Sequence, residues 1–157
     1  MNADDISRYL ADHDLFSGLD EQQRTFLANH ATERHFDDGT IVSRQGTAAD
    51  RFYIVLEGEL TVQVPAIAGP TLEVTRLGVN QVLGWSWLIE PYRWHFNALA
   101  QGRTRAIEFD GRAILSRCEQ DADFGYALFK RFSALMGKRL EAAQRKMMDQ
   151  WSPAGFA

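Results

Sequence analysis

The sequence predicts a mostly β domain with flanking helices, and three observations carry that class. Beyond Arg34 the apolar period changes from helical to strand-like. Turn signals at Asp37-Asp38-Gly39, Gln45-Gly46, Glu57-Gly58, Gly69-Pro70 and Gly78 then recur 7 to 12 residues apart, the spacing of a small antiparallel barrel or sandwich. From Phe124 to Met147 apolar residues return at three- and four-residue intervals, as on one face of a long helix. With 157 residues and 45% hydrophobic content, the chain fits a single domain, 1–157, large enough for a real core.

The order of elements follows. In the helical lead-in, 1–33, Ile6, Tyr9, Leu10 and His13 mark a short amphipathic helix that Ser17-Gly18 interrupts. Asp20 followed by Gln23 is a capping-box signature for a second helix, with Phe26, Leu27 and Ala31 on its face. Residues 34–110 hold the strands, roughly eight of them. Phe52 to Leu56 is a continuous apolar run suited to a strand buried on both faces. Leu60, Val62 and Val64 alternate with polar residues, and a tight turn around Gly58 is expected to join the two segments. Pro65 to Pro70 reads as an exposed hairpin loop. Strands at Val82-Leu83, Phe96 to Ala100 and Ala106 to Phe109 follow. Asp110 and Asp123 are expected to cap two helices within 111–151, and 152–157 is a tail that Ser152-Pro153 opens. A terminal helix of this length cannot bury its whole apolar stripe on so small a domain. A homodimer through the helix 124–151 is therefore expected, with a different partner protein as the other way of covering it.

Several functions are disfavoured. The lone cysteine, Cys118, is a packing residue, and neither cysteines nor a close-set histidine pair have metal-site spacing. His13, His30, His35 and His95 are scattered without a serine or cysteine partner at a diagnostic spacing, so no catalytic residues are assigned. No apolar run reaches 18 residues and the amino terminus does not read as a secretory signal, so a cytoplasmic protein without a membrane span is expected. A net charge of -4 argues against the whole surface binding nucleic acid. In the terminal helix the pairs 130–131, 138–139 and 145–146 supply six cations against Glu141 and Asp149. They read either as charges flanking a dimer seam or as a face for an acidic partner or a phosphate backbone.

This order of elements resembles the cyclic-nucleotide-binding domain superfamily, most closely the sensory half of catabolite-activator-type regulators. The residues that carry the likeness are Leu15-Phe16-Ser17-Gly18-Leu19, Phe36 to Val42, Arg44 to Val55 and Glu57-Gly58-Glu59-Leu60. The resemblance implies an eight-stranded antiparallel jelly-roll barrel and regulation by conformational coupling, not chemistry. Such regulators carry a helix-turn-helix after the long helix, whereas only Ser152 to Ala157 follow here, so direct DNA binding is not expected.

In that family a phosphate-binding cassette follows the sixth strand: a Gly-Glu pair opens a short helix, the Glu takes the ribose hydroxyl, and an arginine near the far end pairs with the phosphate. Here the stretch from Gly84 to Ala98 stands in that place, with three of the four tryptophans. Gly84 matches the opening glycine, but Trp85 replaces the Glu, and Glu90 lies six residues beyond Gly84. Arg93 is the loop's only cation and the expected partner of any bound anion; otherwise it pairs with a carboxylate or faces solvent. Leu83, Gly84, Trp85, Ser86, Trp87, Arg93 and Trp94 are the candidate ligand contacts. No cofactor is required, and a cyclic nucleotide, cyclic AMP or cyclic GMP, is the ligand that the resemblance implies. The aromatics Trp85, Trp87, Tyr92, Trp94 and Phe96 either stack on a flat ligand or fill its place as core. Self-filling is favoured, because an indole in the carboxylate's position removes a ribose acceptor and consumes volume.

Overall fold

The computed structural model describes residues 1–65 and 68–151. Two short helices, α1 (Ala3–Asp12) and α2 (Glu21–Asn29), precede the strands β1 (Ala31–Phe36), β2 (Ile41–Ser43), β3 (Arg51–Val64), β4 (Leu72–Leu77), β5 (Val82–Leu83) and β6 (Asn97–Asp110). Then come α3 (Gly111–Gln120) and α4 (Ala122–Trp151). The helix starts are set by local chemistry. Asn2 and Asp20 each close a capping box with the residue three positions on. Asp110 accepts from the Ala113 N–H at 3.1 Å. At the start of α4 it is Asp121, not Asp123, that accepts a first-turn N–H, that of Phe124 at 3.2 Å.

The strands form one open antiparallel sheet in the order β1-β6-β3-β4, with β2 also on β6 and β5 also on β3. Among the described residues, six strands stand where eight were expected. The reason lies in β3 and β6, each 14 residues long. They stay paired with each other from Arg51↔Asp110 to Gln63↔Asn97, and the pairing shifts register around Glu57 without breaking. Gly58, expected at a tight turn, is instead a bulge inside a continuous strand. Its φ is 82°, and a Cβ there would stand 2.5 Å from the Arg103 carbonyl oxygen, so only glycine passes β6 this closely. Part of the expected 65–70 loop, residues 66–67, lies outside the described residues, as does the 152–157 tail.

The apolar run on β3 is buried on both faces as expected, because its side chains alternate between two cores. Phe52 and Ile54 join Ile107 and Phe109 of β6 against the helices, with Leu10, Phe16, Leu27, Ile114, Phe124, Leu128 and Phe132. Tyr53 and Val55 point the other way, to a second core with Phe36, Leu60, Leu77, Leu83 and the small Ala98, Ala100 and Ala106. Charge pairs cross from β6 to both of its neighbouring strands. The Arg105 guanidinium bridges Glu33 and Glu57, and holds the Glu33 carboxyl down to about 2 from 4.5. Because the folded value is depressed, the stabilisation is present above 4.5 and is lost as pH falls towards 2. Thermal melts should therefore show wild type above Glu33→Gln at neutral pH, with the gap closing across that window; a gap independent of pH would count against this ion pair.

The long helix divides its apolar residues between two faces. Phe124, Leu128 and Phe132 are fully buried in the helix-side core, and Leu135 packs against it. Beyond them Arg139 donates to the Val82 carbonyl and Lys146 Nζ to the Val74 carbonyl at 3.2 Å, so the helix continues along the edge of its own sheet. Arg131 lies against Gly18. Three of the six cations of the expected basic stripe thus face the domain's own surface. On the outer side, Phe129, Ser133, Leu140, Ala143 and Met147 are exposed and Met136 half-buried, at alternating spacings of four and three. Among the described residues, no helix is long and apolar enough to cross a membrane.

Candidate functional site

The loop that follows β5 begins at Gly84, whose φ is 108°. A Cβ at this position would meet the Trp94 indole at 2.9 Å and the Arg51 carbonyl oxygen at 3.3 Å. Glycine is thus required both by the backbone angle and by the ring lying over it. A single 3₁₀ turn, Ser86–Leu88, comes next. The far half of the loop is strapped to the segment after β2 by three backbone hydrogen bonds: Gly46 N–H to Trp94 O at 2.8 Å, Trp94 N–H to Thr47 O at 2.9 Å, and Ala49 N–H to Tyr92 O at 2.8 Å.

This arrangement sends the expected ligand contacts to different places. Leu83 and Trp94 belong to the sheet-side core. Trp87 belongs to the helix-side core: it stacks on Phe52 at 4.8 Å, meets Phe132 edge-on at 5.2 Å, and donates its indole N–H to the Gly84 carbonyl at 3.3 Å. Trp85 is half-buried and stacks on His95 at 4.9 Å, while buried Ser86 bonds the His95 Nδ1 at 3.0 Å. Arg93 is exposed and donates to the Gly46 carbonyl at 2.8 Å, so its guanidinium carries part of the strap. Glu90 is also exposed, beyond the 3₁₀ turn. The loop therefore brings Gly84, Trp87 and Trp94 together around one glycine, and holds Arg93 on a separate, outward side.

Two groups of residues that the sequence did not connect with this loop adjoin it. The first is on α4. Arg139 reaches the carbonyl of Val82, two positions before Gly84, and burial lowers the pKa of its guanidinium. The sequence signal was its place in the 138–139 pair of the terminal helix's basic stripe. The second lies on the sheet. Glu108 on β6, only 8% exposed, receives Arg34 Nη1 at 2.9 Å on one oxygen and Arg51 Nη1 at 2.5 Å on the other. Tyr53 is directly opposite Glu108 in the β3–β6 register and opposite Leu83 in the β3–β5 register. Burial first, and then the Glu108 carboxylate, push the Tyr53 hydroxyl well above its ordinary value, so it stays protonated. Glu108 also raises Arg51 further. A strand pattern reveals alternation but not which arginines on neighbouring strands share one carboxylate.

Another groove lies between the loop and the helices, lined by Leu88, Tyr92, Leu115, Cys118, Tyr126 and Phe129 among others and enclosing about 270 Å³. Burial pushes the Cys118 thiol up to about 11, which keeps it an unreactive packing residue.

Comparison with known proteins agrees with the fold. A family model described as the cyclic nucleotide-binding domain matches residues 33–121. The chain is 28% identical over 103 residues to a cAMP-dependent protein kinase regulatory subunit of Dictyostelium discoideum. That match takes 64% of this chain but 32% of the relative, so the chain spans about a third of that protein's length. Among solved structures, a cyclic nucleotide-binding domain from Methylobacillus flagellatus superposes with a TM-score of 0.78 at 14% identity, over 94% of this chain and 83% of the other. A regulatory subunit of a cAMP-independent protein kinase A from Trypanosoma cruzi, bound to guanosine, superposes with a TM-score of 0.64 at 19% identity, over 79% of this chain and 48% of that one.

Proposed function

Since the chain belongs to the cyclic nucleotide-binding domain family, we propose that it is a non-catalytic cytoplasmic regulatory module that takes a small anionic or nucleotide-like ligand beside the loop 84–98 and relays its presence through α4. The observation that carries this reading is the Arg139 bond to the Val82 carbonyl, which ties the middle of the long helix to the strand leading into Gly84. A ligand that displaces the loop acts on β5, and through that bond on the helix; only differential contact with two arrangements of this latch shifts the equilibrium between them. The jelly-roll architecture is compatible with the sheet. Counting the halves of β3 on either side of Gly58 and of β6 on either side of Gly102 separately adds two strands to the six. Of the candidate contacts, half-buried Trp85 and exposed Arg93 offer surface to a ligand.

Calorimetric titration with cyclic AMP and cyclic GMP, combined with hydrogen exchange along α4, tests the proposal. Saturable binding by one of them should change exchange in α4, and Arg139→Ala should uncouple that change while leaving affinity within about threefold. An α4 response that persists in the variant would sink the latch. Absent binding by either nucleotide favours the second reading, a ligand-free dimerisation or partner-docking module. The specific support for that alternative is the Trp94 indole seated over Gly84 in the sheet-side core.

A further inference from the structure

The cluster around Glu108 holds more positive charge than a buried carboxylate needs. One guanidinium neutralises one carboxylate, yet Arg34 and Arg51 each bond a different oxygen of Glu108. Both arginine side chains remain nearly half exposed, at 45% and 48%, while Glu108 is sunk beneath them at 10%. A guanidinium has five N–H donors, and among the described residues each of these makes a single hydrogen bond. Their remaining neighbours do not consume the rest: Arg34 lies over the Phe36 ring at 5.4 Å, and Arg51 Nε is 3.8 Å from Asp50, which Arg112 also approaches at 3.9 Å. Counting Arg34, Arg51 and Arg112 against Glu108 and Asp50, the cluster keeps one positive charge. Its position is suited to a ligand of the loop, because the Arg51 carbonyl is against Gly84 and Tyr53 is in register with Leu83. Arg93, by contrast, is engaged with the Gly46 carbonyl.

We propose that Arg34 and Arg51, oriented by the buried Glu108 carboxylate, form an oxyanion subsite that takes a phosphate group. Two planar donor forks fixed by one anchor lose little rotamer freedom on binding, and a tetrahedral oxyanion presents acceptors to both at once. The phosphate is either that of a nucleotide-like ligand or free phosphate. The subsite deepens the ligand-taking reading above and rests on it for the nucleotide case alone.

The test is an NMR titration that follows the Nε–H signals of the arginines, with inorganic phosphate in one arm and cyclic AMP in the other. Phosphate should move the Arg34 and Arg51 signals saturably, and Arg145→Ala, which removes an exposed cation paired with Glu141 on α4, should leave that response within about twofold. Arg51→Lys keeps a cation beside Glu108 but loses the fork, and should weaken binding about tenfold or more; its melting temperature reports that the fold is kept. If cyclic AMP moves the same two signals, the bound anion is the nucleotide's phosphate. If phosphate alone moves them, the subsite holds with a free oxyanion as its ligand. Unmoved Arg34 and Arg51 signals at tens of millimolar phosphate, or a response that Arg51→Lys leaves intact, overturn the subsite. Cyclic AMP binding that Arg93→Ala abolishes, with Arg34 and Arg51 silent, would overturn it while sparing the sensor reading. Phosphate binding with no nucleotide response in α4 would do the reverse.

Discussion

Trp87→Ala should lower the free energy of unfolding by about 3–5 kcal/mol, the usual cost of emptying a large aromatic site in a core. Trp87 is 2% exposed, stacked on Phe52 and edge-on to Phe132, which itself meets Phe16 and Phe52. These rings join the sheet to α4, and little around them is free to collapse into the space. The Gly84 carbonyl also loses the indole donor. Urea unfolding measures the change. A loss under about 1 kcal/mol would mean that the ring is not a core element and would return it to the ligand-facing set.

The second large effect concerns assembly. The stripe of Phe129, Ser133, Met136, Leu140, Ala143 and Met147 follows the alternating four and three spacing of a coiled-coil seam, and Leu140 and Met147 are each 62% exposed. The opposite face of the helix is occupied by its own domain as far as Arg139 and Lys146. A second copy of the same stripe is thus the simplest cover. Sedimentation should give about twice 17.8 kDa for wild type and 17.8 kDa for Leu140→Asp, since a carboxylate at the centre of an apolar seam is left unpaired. The substitution touches no core residue, so its melting temperature at low protein concentration should match that of wild type. A monomeric wild type at micromolar concentration would refute the dimer.

Much of the fold was legible because it depends on local rules. Asp20 with Gln23, and Asp110 with Ala113, formed the caps that their positions promise. The run from Phe52 to Leu56 was buried on both faces, as an unbroken apolar segment between turn signals implies. The site was less legible. The resemblance led to the expectation of an indole at the position of the family's ribose-binding carboxylate, but the sequence could not show that Trp87 and Trp94 enter different cores or that Arg93 braces the Gly46 carbonyl. His95, set aside as one of four scattered histidines, proved to be the stacking partner of Trp85 and the hydrogen-bond partner of Ser86.

The division has a physical cause. Periodicity, capping and turn chemistry act between residues a few positions apart, so the sequence by itself determined the helical lead-in, the antiparallel strands, the long final helix and the place of the tryptophan-rich loop. Strand count, the split of the α4 face and the Arg34–Glu108–Arg51 cluster depend on register between segments 34 or more residues apart. Gly58 is a bulge and not a turn because β6 lies alongside it, and Arg139 donates to the Val82 carbonyl because Val82 lies beneath it. Only the tertiary structure brings those partners together, and the function proposed for the loop rests on them.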